Sequence, residues 1–323
     1  MVNHPSFKIK ANDKDITQKI SLNLINLSFD DKAKDESDEI SISLNGLYAR
    51  APFGDKLELW LGFDEKLFKC GTFSINSFSK NYSSKTTDIK ATAINFASNI
   101  KNKKSRTWEN TNLADIALKI TGENNLKAKT NNANKAYIKH ELQNNVSDIE
   151  FIYTLCAKYG FLACIKEQTL IIIEQKEAAQ EGGKQEGGKQ EGGIKYTLDI
   201  SELSDLNISI KNRNDYTGVK LTYQDIEQGI VKSVLSGNDK GCVYELKIAG
   251  VKNDSEALNL ANAKLNALNK GSFEGSFSMI GKNIKAGANL EIKGIDEKVI
   301  FSIKDVKHDF SLSGYTISVN FEG

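Results

Sequence analysis

The sequence of 323 residues contains little proline and no long apolar run. Because Pro5 and Pro52 are its two prolines, glycine, asparagine and aspartate must supply the turns. Apolar stretches such as residues 170–173 are far too short to cross a bilayer, so we expect no membrane insertion. Residues 1–10 also lack an apolar segment, so we expect no signal peptide and folding in a reducing cytoplasm.

Cysteine patterns that bind metals are missing as well. No two cysteines form a C-x-x-C pair, and no histidine stands near one at zinc-ligand spacing. The four cysteines are Cys70, Cys156, Cys164 and Cys242. We therefore predict reduced thiols, with no metal and no cofactor.

Catalytic motifs are equally scarce. His4, His140 and His308 lie far apart in the sequence, and none belongs to an H-E-x-x-H motif. The sequence contains no G-x-S-x-G nucleophile elbow either. We predict that the chain is not an enzyme and has no catalytic residue, and that His308 contributes to packing of the terminal sheet.

Opposite charges nearly cancel, with 43 lysines and arginines against 42 aspartates and glutamates, which gives a net charge of +1. This balance excludes a broad electrostatic attraction to DNA or an anionic membrane, so we expect no sequence-specific nucleic acid binding. The basic run at residues 101–106, followed by Trp108, is compatible with a nucleic acid backbone. A solvated linker between domains is the preferred interpretation.

Two further segments resemble ligand loops without matching them. Residues 30–39 are acidic but lack the order of a calcium loop, so we interpret them as a solvated hairpin loop. Residues 275–282 resemble a phosphate loop, but five residues rather than four separate Gly275 from Gly281. The alternation of Phe273, Phe277 and Met279 predicts a strand there instead.

The length and the patterns predict several domains in a mainly β, α+β fold. Residues 1–104 alternate apolar and polar positions, as at residues 40–44 and 57–61, which predicts an N-terminal β-barrel domain. Asn45-Gly46 and Gly71 are expected turn or bulge positions.

A mixed helical and β middle domain is predicted for residues 105–176. Residues 113–120 have helical spacing, and Gly122 is expected to end that helix. Ser147 and Glu150 form a capping box for a second helix, which is expected to end at Gly160. Residues 161–165 and 170–173 then predict a hairpin.

The remaining sequence predicts a linker and a second barrel. The QEGGK repeat that starts at Gln180 has no apolar residue, so residues 177–193 are interpreted as a flexible linker. Residues 194–323 predict a C-terminal β-barrel domain with one helix. The predicted cap of that helix is Asn253 with Glu256, its apolar stripe is Leu258, Ala261, Leu265 and Leu268, and its end is Gly271.

Seven segments, in their order and spacing, resemble the phage late-control D family of tail proteins over nearly the whole chain. They include PSFKIKANDKDIT near the N-terminus, GDKLELWLGF, CGTFSINSFS, KSRTWENTNLADIALKIT, SDIEFIYTLCAKYGFLACI, IGKNIKAGANLEIKGI and FSIKDVKHDFSLSGYTISVNFE. The QEGGK repeat departs from the family pattern and puts in doubt only the local connection.

The resemblance implies a structural baseplate hub of a contractile phage or prophage tail, similar to the N-terminal region of type VI secretion spike proteins. It implies a homotrimer whose subunits each supply two small tube-forming β-barrels to a ring. The implied partners are a hexameric tail tube protein, a trimeric spike protein and other baseplate proteins. The expected location is the virion tail baseplate, after assembly in the bacterial host cytoplasm. Because the sequence ends at Gly323, soon after Phe321, we expect the spike to be a separate polypeptide.

Two other classes of function stay open. Residues 112–121, NLADIALKIT, resemble the helix of a LysM glycan-binding module, which would suit a peptidoglycan-binding tail or cell-surface protein. A cell-wall hydrolase is the third class, because carboxylates are abundant. A zymogram on cell-wall material together with the oligomer mass distinguishes the three.

Overall fold

The computed structural model describes residues 4–33, 37–93, 99–174, 195–211, 216–225, 228–269, 273–296 and 299–323. Within them the chain forms 21 strands and four α-helices, which confirms a mainly β, α+β class. The predicted linker at 177–193 and the predicted helix end at Gly271 lie outside the described residues. The domain boundaries stay a prediction.

The N-terminal residues form one short helix, α1 (Thr17–Ser21), and seven strands of an antiparallel sheet. The strands are β1 (Pro5–Ala11), β2 (Lys14–Asp15), β3 (Leu24–Lys32), β4 (Glu39–Asn45), β5 (Lys56–Phe63), β6 (Lys66–Asn81) and β7 (Thr86–Thr92). Alternate residues of β4 and β5 are buried, as their period of two predicts. Gly46 turns the chain with a φ of +108°, and Gly71 adjoins a bulge between β5 and β6, so both expected turn or bulge positions are confirmed.

The middle residues, 99–174, build a hydrophobic core of their own around two helices. Their elements are β8 (Lys103–Asn112), α2 (Leu113–Glu123), β9 (Lys127–Thr130), β10 (Tyr137–Ser147), α3 (Asp148–Lys158), β11 (Phe161–Lys166) and β12 (Thr169–Glu174). The Ser147 hydroxyl accepts the Glu150 N–H at 3.3 Å, which confirms the predicted cap, and β11 and β12 form the predicted hairpin. The predicted end of α2 at Gly122 was wrong, because the Asn124 amide caps the Ile120 carbonyl at 2.8 Å and lets the helix continue past the glycine.

The C-terminal residues form β13 (Lys195–Asp199), β14 (Ser204–Ile210), β15 (Tyr216–Asp225), β16 (Ile230–Gly237), β17 (Cys242–Lys247), α4 (Asp254–Asn269), β18 (Phe273–Ile280), β19 (Asn289–Lys293), β20 (Phe301–Ser311) and β21 (Gly314–Glu322). β15, β16 and β17 form a small sheet that packs on α4. The predicted stripe of α4 was wrong at Leu258, which is 40% exposed while Ala257 and Ala261 are buried. Residues 257 and 261 are four apart and share a face, whereas residue 258 lies about 100° away around the helix.

The N-terminal and C-terminal strands share one sheet and one core. The main path of this 13-stranded sheet runs β14-β18-β21-β20-β3-β4-β7-β6-β5-β1-β2. Aromatic rings from both halves meet in the core, with centroids 5.3 Å apart for Phe7 and Phe310 and 5.2 Å apart for Phe29 and His308. The pairing of β3 with β20 therefore joins two regions that the middle residues separate in the chain.

Candidate assembly interface

The large sheet contains the same four-strand unit twice. The first unit comprises β3, β4, β6 and β7, and the second comprises β14, β18, β20 and β21. In both, the third strand in the chain pairs with the fourth, the fourth with the second, and the second with the first. The units are joined head to tail, because β3 of the first unit pairs with β20 of the second.

The residue pairings show that the two units agree in register along their second, third and fourth strands. The first strands differ, because the bulge lies between Leu24 and Asn26 in β3 but between Ser204 and Asn207 in β14. In the first unit Phe29 pairs with Ile40, which pairs with Ala91. In the second unit Ile208 pairs with Gly275, which pairs with Phe321. These two rows have the same place in their units. Counting along the strands from these rows makes Asp30 equivalent to Ser209. It also makes Ser79, which pairs with Asp88, equivalent to Lys307, which pairs with Ser318.

A bulge interrupts the third strand at the same place in both units. The register of β6 with β7 shifts between Ile75 and Ser77, and that of β20 with β21 shifts between Ile303 and Asp305. Ser77 and Asp305 are equivalent in the counting that equates Ser79 with Lys307. Because a bulge fixes the local bend of a strand, both units curve at corresponding positions.

Within the part of the chain that the structure describes, each end of this double unit has an open strand edge. On the side away from β18, β14 pairs with no other described strand. The C-terminal part of β6, from residue 77 to 81, pairs with β7 on one side, whereas β5 pairs only with the earlier part, up to Ser74. β6 is the equivalent of β20, and β14 is the equivalent of β3. The open edges of β6 and β14 are therefore equivalent to the edges of β20 and β3, which pair with each other inside the chain.

A buried ionic cluster attaches the middle residues to this sheet. Lys166, at the end of β11, donates to Asp31 and to Asp38, with 2.9 Å between its Nζ and Asp38 Oδ1. Asp31 also accepts the Ala286 N–H at 3.0 Å, so N-terminal, middle and C-terminal residues meet here. A cavity of about 460 Å³ adjoins the cluster. The interpretation of residues 30–39 as a solvated loop was wrong for Asp31 and Asp38, which are 1% and 4% exposed and both accept hydrogen bonds from Lys166.

The electrostatics of the cluster keep Lys166 charged. Burial alone lowers the pKa of its ammonium, but attraction by Asp38 and Asp31 outweighs burial and leaves the pKa above its ordinary value. Burial raises the pKa of Asp38 to about 6, against the opposing pull of Lys166, and the nearby charge of Asp31 adds to the rise.

A second ionic network holds the middle core together. Asp148, at the start of α3, is fully buried and accepts hydrogen bonds from Lys104 and Arg106, each at 2.6 Å. Gln143 and Asn124 donate to the same carboxylate at 3.0 and 3.1 Å. The interpretation of the basic run 101–106 as a linker was therefore wrong at its end, because Lys104 and Arg106 belong to β8 and this network.

The aromatic residue beside that run is not available as a nucleic acid or glycan platform. Trp108 is 7% exposed and stacks on Phe151 with 6.1 Å between ring centroids, and the Arg106 guanidinium lies 4.6 Å from the centroid of its ring. Helix α2, the LysM-like segment, is followed by β9, which pairs in parallel with β12.

The structure does not gather the histidines, which lie before β1, in β10 and in β20. His4 and His140 are exposed. His308 is fully buried, stacks on Phe29, and shares a hydrogen bond of 2.7 Å with the Tyr315 hydroxyl. Burial lowers the pKa of His308 to about 4, so it is a neutral core residue at neutral pH.

This burial predicts a measurable pH effect. His308 becomes protonated near pH 6.5 in the unfolded chain but only near pH 4 in the folded chain. The stabilising contribution of the neutral histidine is therefore complete above pH 6.5 and is lost as the pH falls from 6.5 to 4. His308→Gln should be less stable than the unsubstituted chain at pH 7.5, and the difference should shrink by about 2–3 kcal/mol by pH 4.5. Urea unfolding at both pH values measures it, with His140→Gln as the exposed control. A difference that is constant with pH would contradict a neutral buried histidine.

Burial disfavours the reactive form of two of the four thiols. Burial raises the pKa of the Cys70 thiol to about 12 and that of Cys164 to about 11, which disfavours the thiolate needed for nucleophilic attack. Within the same residues, no cluster of three or more His, Cys, Asp or Glu side chains could hold a metal ion. None of the helices in the described ranges is both long and apolar enough to span a membrane.

Comparison with known proteins defines the class through the fold. The tail protein from Neisseria meningitidis MC58 superimposes with a TM-score of 0.68 at 12% identity, over 99% of this chain and 97% of that one. The 43 kDa tail protein of prophage MuSo2 from Shewanella oneidensis gives 0.66 at 11% identity, over 98% of each chain. The chain therefore has the fold of phage tail proteins. An E. coli type VI secretion component, c3393, shares it with a TM-score of 0.56 at 11% identity, over 93% of this chain and 73% of that one.

Sequence comparison adds a particular relative, the probable baseplate hub protein of Escherichia phage P2. It is 24% identical over 223 residues, which are 67% of this chain and 55% of the P2 protein. The chain thus matches about half the length of this curated relative. No protein-family model matches the sequence. The expected resemblance to phage baseplate hub proteins is confirmed.

Proposed function

We propose that the chain is a structural baseplate hub of a contractile tail. In this proposal three copies close into a ring that joins a hexameric tail tube to a separate trimeric spike, and the chain has no enzymatic activity. The observation that supports it best is the repeated four-strand unit with its two complementary open edges. Within one chain, the β20 edge docks on β3, so the β6 edge of one copy would dock on β14 of the next in the same way.

Closure of this kind explains how a threefold ring meets a sixfold tube. Each copy supplies two units with equivalent strands, so three copies offer six equivalent positions around the axis. In this proposal each unit is the tube-forming wall of one small β-barrel. Pairing of the open edges also removes two exposed strand edges, which are otherwise sites of uncontrolled association.

The pairing inside the chain predicts the residue register between copies. Lys307 lies opposite Asp30, and their equivalents are Ser79 and Ser209, both exposed. Paired residues of antiparallel strands have Cα atoms about 4.5–5.5 Å apart, which suits a disulfide. The variant Ser79→Cys/Ser209→Cys, in a Cys242→Ser background, is expected to yield covalent trimers on mild oxidation, seen on a non-reducing gel.

The control for this experiment shifts the register. Ser79→Cys/Ser204→Cys places the second thiol five residues away and should cross-link at least about tenfold less, because Cα atoms more than about 7 Å apart cannot be bridged. Native mass measurement runs in parallel, with tube and spike proteins added. A trimer that forms without the Ser79–Ser209 link would contradict the edge pairing, and a chain that stays monomeric with both partners would contradict the hub.

Absence of activity has its own test. The purified chain should produce no clearing on a cell-wall zymogram, and neither should it retain peptidoglycan in a pull-down. Clearing would support the hydrolase, and retention of glycan without any tail partner would support the peptidoglycan-binding alternative.

A further inference from the structure

The internal repeat also includes the loop that follows the second strand of each unit. The loop from β4 to β5, which we call the clasp loop (residues 46–55), has its equivalent in the loop from β18 to β19. Gly54 N–H donates to the carbonyl of Ile75 at 2.9 Å, and Gly287 N–H donates to that of Ile303 at 2.8 Å. Ile75 and Ile303 directly precede the two equivalent bulges. Each loop therefore meets the third strand of its own unit at the same place.

Inside the chain, the loop of the second unit reaches across the junction onto the first unit. Ala286 N–H donates to Asp31 Oδ2 at 3.0 Å, and Lys285 Nζ lies 6.0 Å from the ring centroid of Phe29. Asp31 and Phe29 belong to β3, the strand on which β20 docks. We call the meeting of Ala286 with Asp31 the inner contact. It adds a side-by-side contact of loop and strand to the pairing of the two edges.

The residues equivalent to this pair are exposed at the two open ends of the double unit. Phe53 takes the place of Ala286, since each directly precedes the glycine that bonds the third strand. Ile210 takes the place of Asp31, on the C-terminal side of both first-strand bulges, where the two registers agree. Phe53 is 55% exposed and Ile210 is 64% exposed. Two large apolar side chains thus occupy positions whose equivalents contact each other inside the chain.

The charged side chains of the inner contact have apolar equivalents at these open ends. Phe273 pairs with Ile210 in the sheet and takes the place of Asp38. Asp31, Asp38 and Lys285 thus correspond to Ile210, Phe273 and Pro52. The inner carboxylates are buried together with Lys166 of the middle residues, because a buried charge needs a partner. An apolar pair needs no such cation, so Phe53 and Ile210 are chemically matched to each other.

We infer that the clasp loop of one copy seats Phe53 on Ile210 and Phe273 of the next copy. This outer contact is apolar and separate from the pairing of β6 with β14. It rests on the proposed hub function and commits to a second copy of this chain as the occupant. Single exposed apolar residues are ordinary on a protein surface, but these lie where the internal repeat already shows a contact. Burial of both side chains in the ring favours association.

The test exchanges the apolar pair for a charged one. Phe53→Lys and Ile210→Asp are made singly and together, and Phe53→Asp/Ile210→Asp is the like-charge control. Mass photometry measures the concentration at which half of the rings dissociate, with tube and spike proteins present where the ring requires them. Each single variant should raise this concentration by about tenfold or more, because it presses a charge against an apolar surface. Phe53→Lys/Ile210→Asp should recover most of the loss, because the ammonium meets the carboxylate, whereas the like-charge control should recover none.

A surface control and the strand cross-link complete the design. Leu118→Lys/Val231→Asp alters two exposed apolar residues outside the repeated sheet and should leave ring dissociation unchanged. Single variants that dissociate as the unsubstituted ring does would overturn the outer contact, and so would a charge pair that recovers nothing. Loss of tube or spike from an intact ring would overturn it as well, by assigning Phe53 and Ile210 to that partner.

The Ser79–Ser209 cross-link separates failure of the outer contact from failure of the hub. A ring that carries this link but ignores the Phe53 and Ile210 variants keeps the proposed function and removes only the outer contact. A chain that forms neither link nor ring, even with tube and spike present, overturns both.

Discussion

Lys166→Met is expected to lower the free energy of unfolding by about 3 kcal/mol at pH 8, because it leaves Asp31 and Asp38 buried without a cation. Lys166 donates to both carboxylates, and its side chain is only 23% exposed. Urea unfolding measures the change. The same substitution at Lys69, whose side chain is 40% exposed and pairs with Glu58, should cost at most about 1 kcal/mol.

The pH dependence of stability and a rescue variant test whether the unpaired carboxylates cause the lower stability of Lys166→Met. The folded pKa of Asp38 is about 6, above its ordinary value, so its protonation favours folding as the pH falls from about 6 to 4. Without the attraction of Lys166 the pKa of Asp38 should rise further, so the loss of stability in Lys166→Met should be smaller at pH 5 than at pH 8. Adding Asp31→Asn and Asp38→Asn should restore most of the stability, because no charge remains unpaired. A deficit that persists in this triple variant would show that Lys166 acts through packing instead.

Asp148→Ala is expected to have the larger effect, about 3–5 kcal/mol, because it removes a fully buried carboxylate from four donors. Its neighbour Glu123 pairs with the same Lys104 and Arg106 but has a side chain that is 33% exposed. Glu123→Ala should therefore cost about 1 kcal/mol. Urea unfolding, followed by the fluorescence of Trp108 in a Trp60→Phe background, compares the two variants.

Lowering the pH should reduce the difference in the free energy of unfolding between Asp148→Ala and the unsubstituted chain. Burial pushes the pKa of Asp148 up, but hydrogen bonds from Gln143, Lys104 and Asn124 outweigh burial and leave it below its ordinary value. The contribution of this depressed carboxyl is present above its unfolded pKa and is lost as the pH falls below about 4. Equal costs for Asp148→Ala and Glu123→Ala at pH 7 would contradict the role of burial.

Local patterns in the sequence predicted most strands and two helix caps. Ser147 with Glu150 and Asn253 with Glu256 cap α3 and α4, since a cap needs only a side chain within three residues of the N–H that it accepts. The alternation of Tyr315, Ile317 and Val319 likewise gave the core face of β21. The prediction failed at Asp31 and Asp38, where the remote Lys166 decided the outcome. At Gly122 the failure was local, because Asn124, two positions further on, caps the helix instead.

The interface depends on contacts that no local pattern contains. The four-strand repeat is invisible in the sequence, because equivalent rows hold different residues, such as Phe29, Ile40 and Ala91 against Ile208, Gly275 and Phe321. A sheet face accepts any apolar set of fitting volume, so strand order can repeat without sequence similarity.

The sequence by itself determined the β-rich, helix-poor class, because composition and periodicity act over a few residues at a time. It also determined the family resemblance, through the order and spacing of its segments. Only the tertiary structure decided that β3 pairs with β20 and that Lys166 donates hydrogen bonds to two acidic residues more than 120 positions away. Each of these joins residues remote in the chain. Their proximity is set by the strand order and register of the sheet, and single-residue preferences cannot encode it.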